Sequence, residues 1–111
     1  MNEELKLVRM KRAINTLLSD IKTRVFPVYQ IIIFGSVVRK EITERSDMDV
    51  CIVCDDTLTI QQKREIENYF YDILQDELST DFIYCTQDKL LEGQKVFKNV
   101  RDEGRIIYEQ L

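Results

Sequence analysis

IIIFGSVVRKEITERSDMD, residues 31–49, is the stretch from which the remaining chain is best read. Ile31-Ile32-Ile33-Phe34 is an apolar run of the kind a buried strand needs. The chain then breaks at Gly35-Ser36, crosses a charged segment, and reaches Asp47 and Asp49 at the head of a second apolar run. In an extended strand, residues two apart point to the same face, so the two carboxylates project side by side. Like charges on one face repel unless something positive lies between them. A divalent cation meets that need, and oxygen-only ligands favour magnesium or manganese over zinc. The Gly-Ser turn offers backbone N–H groups and a hydroxyl that suit a phosphate. Phosphate, metal and paired aspartates together read as nucleotidyl transfer.

Gly35-Ser36, ten intervening residues, then Asp47-Met48-Asp49 resembles the signature of the DNA polymerase beta-like nucleotidyltransferase superfamily. Arg39, three residues after Ser36, Ser46 just before the first aspartate, and the short length narrow the resemblance to the minimal nucleotidyltransferases. The C-terminal GQKVFKNVRDEGRIIYEQ, residues 93–110, also resembles the end of those domains. The family often carries Gly where this chain has Lys40, a departure in the loop that leaves the aspartates untouched.

The resemblance implies an α/β (α+β) fold, with a small, mixed, twisted sheet, helices packed on one side and the catalytic aspartates on the open side. Residues 1–111 then read as a single minimal nucleotidyltransferase domain. Asp47 and Asp49 would bridge two Mg2+ ions, and Asp81, on a neighbouring strand, would be the third carboxylate, metal ligand and base. Gly35 would let the backbone approach the triphosphate, and Ser36 would hydrogen-bond a terminal phosphate. Arg39 has two readings, a triphosphate contact or a surface arginine, and the sequence leaves both open.

Composition narrows the function classes. A chain of 111 residues with 44% hydrophobic and 32% charged residues suits one globular domain with a single core, and leaves no room for a separate substrate-binding domain. No apolar stretch approaches a membrane span, and MNEELKLVRMKR lacks the apolar core of a signal peptide, so a cytoplasmic protein is expected. A net charge of −4 argues against gripping long nucleic acid, while one nucleotide remains compatible because metal ions carry positive charge. The absence of His excludes histidine-based catalysis and histidine-ligated zinc. Cys51, Cys54 and Cys85 make an odd count with no disulfide framework. Strand alternation sends Cys51 and Cys54 to opposite faces, as buried small hydrophobes.

Taken in order, residues 2–25 have helical spacing at Leu5, Val8, Ile14, Leu17, Leu18, Ile21 and Val25, and Lys6, Arg9, Lys11 and Arg12 read either as a solvated face or as a surface for a partner or nucleotide. Pro27 leads into a strand over residues 28–34, residues 37–45 form a short helix or ordered loop, and residues 48–54 are the second strand. Thr59-Ile60-Gln61-Gln62 fits a capping box, with a helix to about Leu78. A third strand spans residues 80–85 with Asp81 at its start, residues 86–101 are helical, and Gly104 turns the chain into a strand at residues 105–108.

No motif names the acceptor. The chain lacks room for a small-molecule acceptor pocket, so the acceptor surface is expected from another chain or a second copy. Minimal nucleotidyltransferases of this kind are often antitoxin partners of HEPN-type toxins, and the family implies transfer of AMP from ATP to a toxin tyrosine. Two other readings are a binding module that neutralises its partner sterically, and an enzyme acting on a small hydroxylated molecule across a homodimer.

Overall fold

In the computed structural model, which describes residues 2–110, the two apolar runs flanking the charged segment pair with each other. Strands β1 (Gln30–Phe34) and β2 (Met48–Val53) are antiparallel, with Ile33 opposite Val50 and Phe34 opposite Asp49. Strand β3 (Thr80–Cys85) runs parallel to β2, and β4 (Arg105–Glu109) runs antiparallel to β1. The result is a mixed four-stranded sheet of order β3-β2-β1-β4.

Helices α1 (Glu3–Asp20) and α2 (Ile60–Leu74) lie on one face of the sheet. Met10, Ile14 and Leu17 of α1 and Ile66, Phe70 and Leu74 of α2 pack with Ile31, Ile33, Val50 and Ile52 into the main core. Asn2 caps α1 by accepting from the Leu5 N–H at 2.8 Å. Thr59 and Gln62 exchange side-chain and backbone bonds as a capping box at the start of α2.

The other face carries a second, smaller layer. Ile32, Cys51, Val53 and Cys85 pack against Phe97 and Val100 of α4 (Lys95–Glu103). Helices therefore flank the sheet on both sides, and α4 covers Cys51, Val53 and Cys85 on the face that carries Asp49. Cys51 and Cys54 fall into different layers, as alternation along β2 requires, and all three cysteines are buried and free.

The boundaries differ from the sequence reading where tertiary packing takes over. Leu5, Val8 and Val25 are exposed at 49%, 51% and 88%, because α1 buries the stripe through Met10, Ala13, Ile14 and Leu17 and ends at Asp20. Helix α2 stops at Leu74, where Gln75 and Asp76 take left-handed conformations (φ 47° and 62°) that return Leu78 to the core. The helical stretch at 86–101 divides into α3 (Gln87–Leu90) and α4, with Arg101 Nη1 donating to the carbonyls of Leu90 and Glu92 at 2.6 and 2.7 Å to hold the corner. β1 begins two residues later than residue 28, although the Tyr29 N–H still donates to the Val53 carbonyl.

Gly104 brings α4 hard against β1. A Cβ there would meet the Val100 carbonyl oxygen at 2.2 Å and Ile32 Cγ2 at 2.6 Å. Beyond it, β4 carries an irregularity that pairs Ile31 with Tyr108 and Ile32 with Ile106, leaving Ile107 to turn inward. Among the described residues, no helix is long and apolar enough to cross a membrane.

Candidate active site

The parallel register of β2 and β3 sets Asp49 directly beside Asp81. Asp47 precedes β2 at the same end of the sheet, so the three carboxylates singled out in the sequence lie near enough for the charges of Asp47 and Asp81 to act on Asp49. Asp47 and Asp81 are exposed and Asp49 is half-buried. Burial pushes the Asp49 carboxyl above its ordinary range, and the charges of Asp81 and Asp47 push it further. Arg39 works in the opposite direction. A cation at this end would relieve the same repulsion, and the donor chemistry, carboxylate oxygen throughout, suits magnesium. In their present orientations, no three acidic side chains among the described residues converge closely enough to hold an ion. The donor set fits a metal, and side-chain rotation would have to complete the ligation.

Gly35 closes the site from β1. It leaves the strand with φ +79°, and a Cβ would meet Asp49 Oδ2 at 2.2 Å and Asp49 Cγ at 3.2 Å. Both the left-handed backbone and the close approach therefore require glycine. The Gly35 carbonyl accepts from the N–H groups of Val38 and Arg39, each at 3.1 Å, which curls the segment into a tight turn. Ser36 follows, half-buried, and its carbonyl accepts from the Glu41 N–H at 2.9 Å. Lys40 adopts φ 60°. This is the position where the resemblance leads one to expect glycine, and the left-handed conformation persists with a lysine in place.

Arg39 lies beside the Gly35 turn and is exposed at the surface. Its Nη1 donates to Glu103 Oε1 at 2.9 Å, and its Nε donates to Glu41 Oε2 at 3.1 Å. The same Glu103 oxygen accepts from the Gly35 N–H at 3.3 Å. Glu103 was not singled out from the sequence. It ends α4 far along the chain from Gly35, and only the packing of Gly104 against β1 brings it here. The one local signal was its position immediately before a glycine that ends a helix.

On the far side of Asp47, Lys6, Arg45, Asp76 and Ser79 help line a shallow cavity of about 270 Å³. Ser46 shapes this approach, since its Oγ accepts from the Thr43 N–H at 2.9 Å and its own N–H donates to the Thr43 carbonyl at 3.0 Å. Of the basic residues of α1, Lys6 reaches this cavity and Arg9 pairs with Glu77, whereas Lys11 and Arg12 remain exposed.

The family described as "Polymerase beta, Nucleotidyltransferase" matches residues 15–110. This chain belongs to that nucleotidyltransferase family. A protein of Methanocaldococcus jannaschii, provisionally named a protein adenylyltransferase, is 40% identical over 58 residues. That match takes in 52% of this chain and 57% of the relative, so the chain spans little more than half the length of the curated protein it resembles. Solved structures share the fold of this nucleotidyltransferase chain. One, from a toxin-antitoxin complex with AMP-PNP, superposes with a TM-score of 0.55 and 21% identity, covering 89% of this chain and 73% of the other. Another, provisionally described as a minimal nucleotidyltransferase, has a TM-score of 0.51 and 20% identity, with 95% of each chain covered. A third comes from a toxin-antitoxin variant with two aspartates, two residues apart, changed to glutamate; its TM-score is 0.53 at 19% identity, over 89% of this chain and 72% of the other.

Proposed function

We propose that this chain is a metal-dependent nucleotidyltransferase that transfers AMP from ATP to a tyrosine of a partner HEPN-type toxin and thereby acts as its antitoxin. The pairing of Asp49 with Asp81, directly beside the forced glycine Gly35, carries this reading. It joins a carboxylate edge to a phosphate-sized turn, the two parts that nucleotidyl transfer requires. A protein acceptor is supported by the provisionally named adenylyltransferase relative, and a toxin partner by the toxin-antitoxin structures of the same fold. ATP as the nucleotide is supported by the AMP-PNP in one of those structures. Exposure of Asp47 and Asp81 leaves the edge open to a tyrosine presented by another protein. An ATP-dependent role of this kind belongs in the cytoplasm.

In the reaction the tyrosine oxygen bonds to the α-phosphorus, the bond from that phosphorus to the bridging oxygen breaks, and pyrophosphate leaves with the electron pair. The hydroxyl proton must go to a base, and Asp81, exposed one strand away from Asp49, is assigned that role. Asp47, Asp49 and Asp81 are the residues that would hold two Mg2+ ions, which supply Lewis-acid polarisation of the phosphate and charge neutralisation of the leaving group. The Gly35 N–H and Ser36 hydroxyl are assigned the phosphate oxygens, the donors that a glycine turn offers an anion. Arg39, beside the same N–H, counters the charge that develops on pyrophosphate.

Pyrophosphate release by the purified chain, supplied with ATP, magnesium and its toxin partner, tests the assignment. Release that needs the partner, and is lost in Asp81→Asn while AMP-PNP binding persists, is the expected result. Normal turnover in Asp81→Asn at saturating ATP would remove Asp81 from its role as base.

A further inference from the structure

Glu103, the last residue of α4, places one carboxylate oxygen against two donors of the Gly35–Arg39 turn. The Gly35 N–H reaches it at 3.3 Å and Arg39 Nη1 at 2.9 Å. A main-chain amide at a glycine turn and a guanidinium are also the donors that a phosphate oxygen takes. Carboxylate and phosphate oxygens are alike in charge and in acceptor geometry, so the two would compete for the same seat.

The contact is built into the fold. Because Gly104 has no side chain, the end of α4 presses onto Ile32 of β1, and the preceding residue is carried to the mouth of the Gly35 turn. The Glu103 side chain is only 28% exposed, and its charge adds to the field that raises the Asp49 carboxyl. Arg39 keeps a second partner, Glu41, so departure of Glu103 would not leave the guanidinium unpaired. Phe97 and Val100 anchor α4 to the sheet from other turns of the helix, so the carboxylate alone can swing away.

We infer that Glu103 competes with the phosphates of the nucleotide for the seat formed by the Gly35 N–H and Arg39, and so sets how tightly nucleotide binds. This rests on the nucleotide-binding reading of the Gly35–Arg39 turn. Glu103 acts through these two groups and is a positioning residue. A merely structural role, in which Glu103 holds Arg39 in place for the nucleotide, has the opposite sign: its loss would weaken binding.

Calorimetric titration of the full chain with magnesium AMP-PNP, and separately with inorganic tripolyphosphate, tests the inference in wild type, Glu103→Ala and the near-isosteric Glu103→Gln. Removing the competitor is expected to tighten both ligands about tenfold in Glu103→Ala, the equivalent of about 1.4 kcal/mol. Glu103→Gln, which keeps an oxygen acceptor without the charge, is expected to gain less, and it serves if the alanine variant does not fold. Unchanged or weaker binding in both variants overturns the inference while leaving the nucleotide reading in place. Tighter tripolyphosphate binding in the variants, with no AMP-PNP bound by any of the proteins, supports the competition and removes the nucleotide reading. Failure of every protein to bind either ligand overturns both.

Discussion

Gly35→Ala is the most informative single change at the site, because two separable terms oppose it. The first is the backbone: an L-residue at φ +79° costs about 1.5 kcal/mol relative to glycine. The second is the contact with Asp49 Oδ2, placed 2.2 Å from the new Cβ, which must be relieved by turning the carboxylate off its rotamer at about 1 kcal/mol. Alanine also stiffens the unfolded chain, which offsets about 0.5 kcal/mol. A net loss of about 2 kcal/mol is therefore expected, lowering Tm by about 8 °C for a domain of this size. Because the displaced group is Asp49, transfer activity should fall about 100-fold even in protein that remains folded. Urea unfolding of Gly35→Ala in wild-type and Asp49→Ala backgrounds isolates the contact, since with the carboxylate gone only the backbone part, about 1 kcal/mol, should remain. An equal cost in both backgrounds, or no cost in either, would refute the close approach of Gly35 to Asp49.

Three further outcomes follow from the same structure. Asp49→Asn should abolish transfer yet stabilise the fold at neutral pH. The native carboxyl titrates above its unfolded value of 3.8, so wild-type stability falls as pH rises through that window. Denaturant midpoints should accordingly separate above about pH 4 and converge below it, and a variant less stable than wild type at pH 7 would contradict the account of a carboxylate raised by burial and by the charges of Asp81 and Asp47. Thr80 Oγ1 is buried with no hydrogen-bond partner among the described residues, so Thr80→Val should stabilise the fold by about 1 kcal/mol in urea unfolding; destabilisation of that size would reveal a hidden partner. Tyr69 donates to Asp20 Oδ2 at 2.6 Å, and this bond, ahead of Arg24, holds the Asp20 carboxyl below 3.8. In Tyr69→Phe the Asp20 NMR titration should move up towards 3.8. The stability this bond gives is fully present above that value and is lost as pH falls through the lowered native one.

How much of this was legible in the sequence varies by feature, for physical reasons. The period of two in β2 separates Asp49, Cys51 and Val53 from Met48, Val50 and Ile52, and the structure divides them between two layers in the same way. The capping box at Thr59 was equally legible, because it is made within one turn of chain. The end of α2 was not: nothing local in Gln75-Asp76 announces two left-handed residues, and the burial of Leu78 is what repays them. The division of the last helical stretch depends on Arg101 reaching back to the carbonyls of Leu90 and Glu92. The cover that α4 places over Cys51 and Cys85 is likewise a tertiary choice, so a face expected to be open is partly closed. At the candidate site, spacing and alternation singled out Asp47 and Asp49, the Gly-Ser break singled out Gly35, and the family resemblance pointed to Asp81; the structure sets Asp49 beside Asp81 and Gly35 against Asp49. Glu103 was not legible, because its contacts with Gly35 and Arg39 cross more than half the length of the chain. Arg39 had two readings, and its exposed guanidinium, bonded at the mouth of the turn, accommodates both.

The central claim is that the edge formed by Asp47, Asp49 and Asp81 moves AMP onto a protein. Intact-mass analysis of the proposed toxin partner, coexpressed with wild type or with Asp47→Asn, tests it most directly. The account predicts a gain of one or more AMP units on the partner with wild type and none with Asp47→Asn. An unmodified partner held in a tight complex by the wild-type chain would contradict it and leave steric neutralisation in its place.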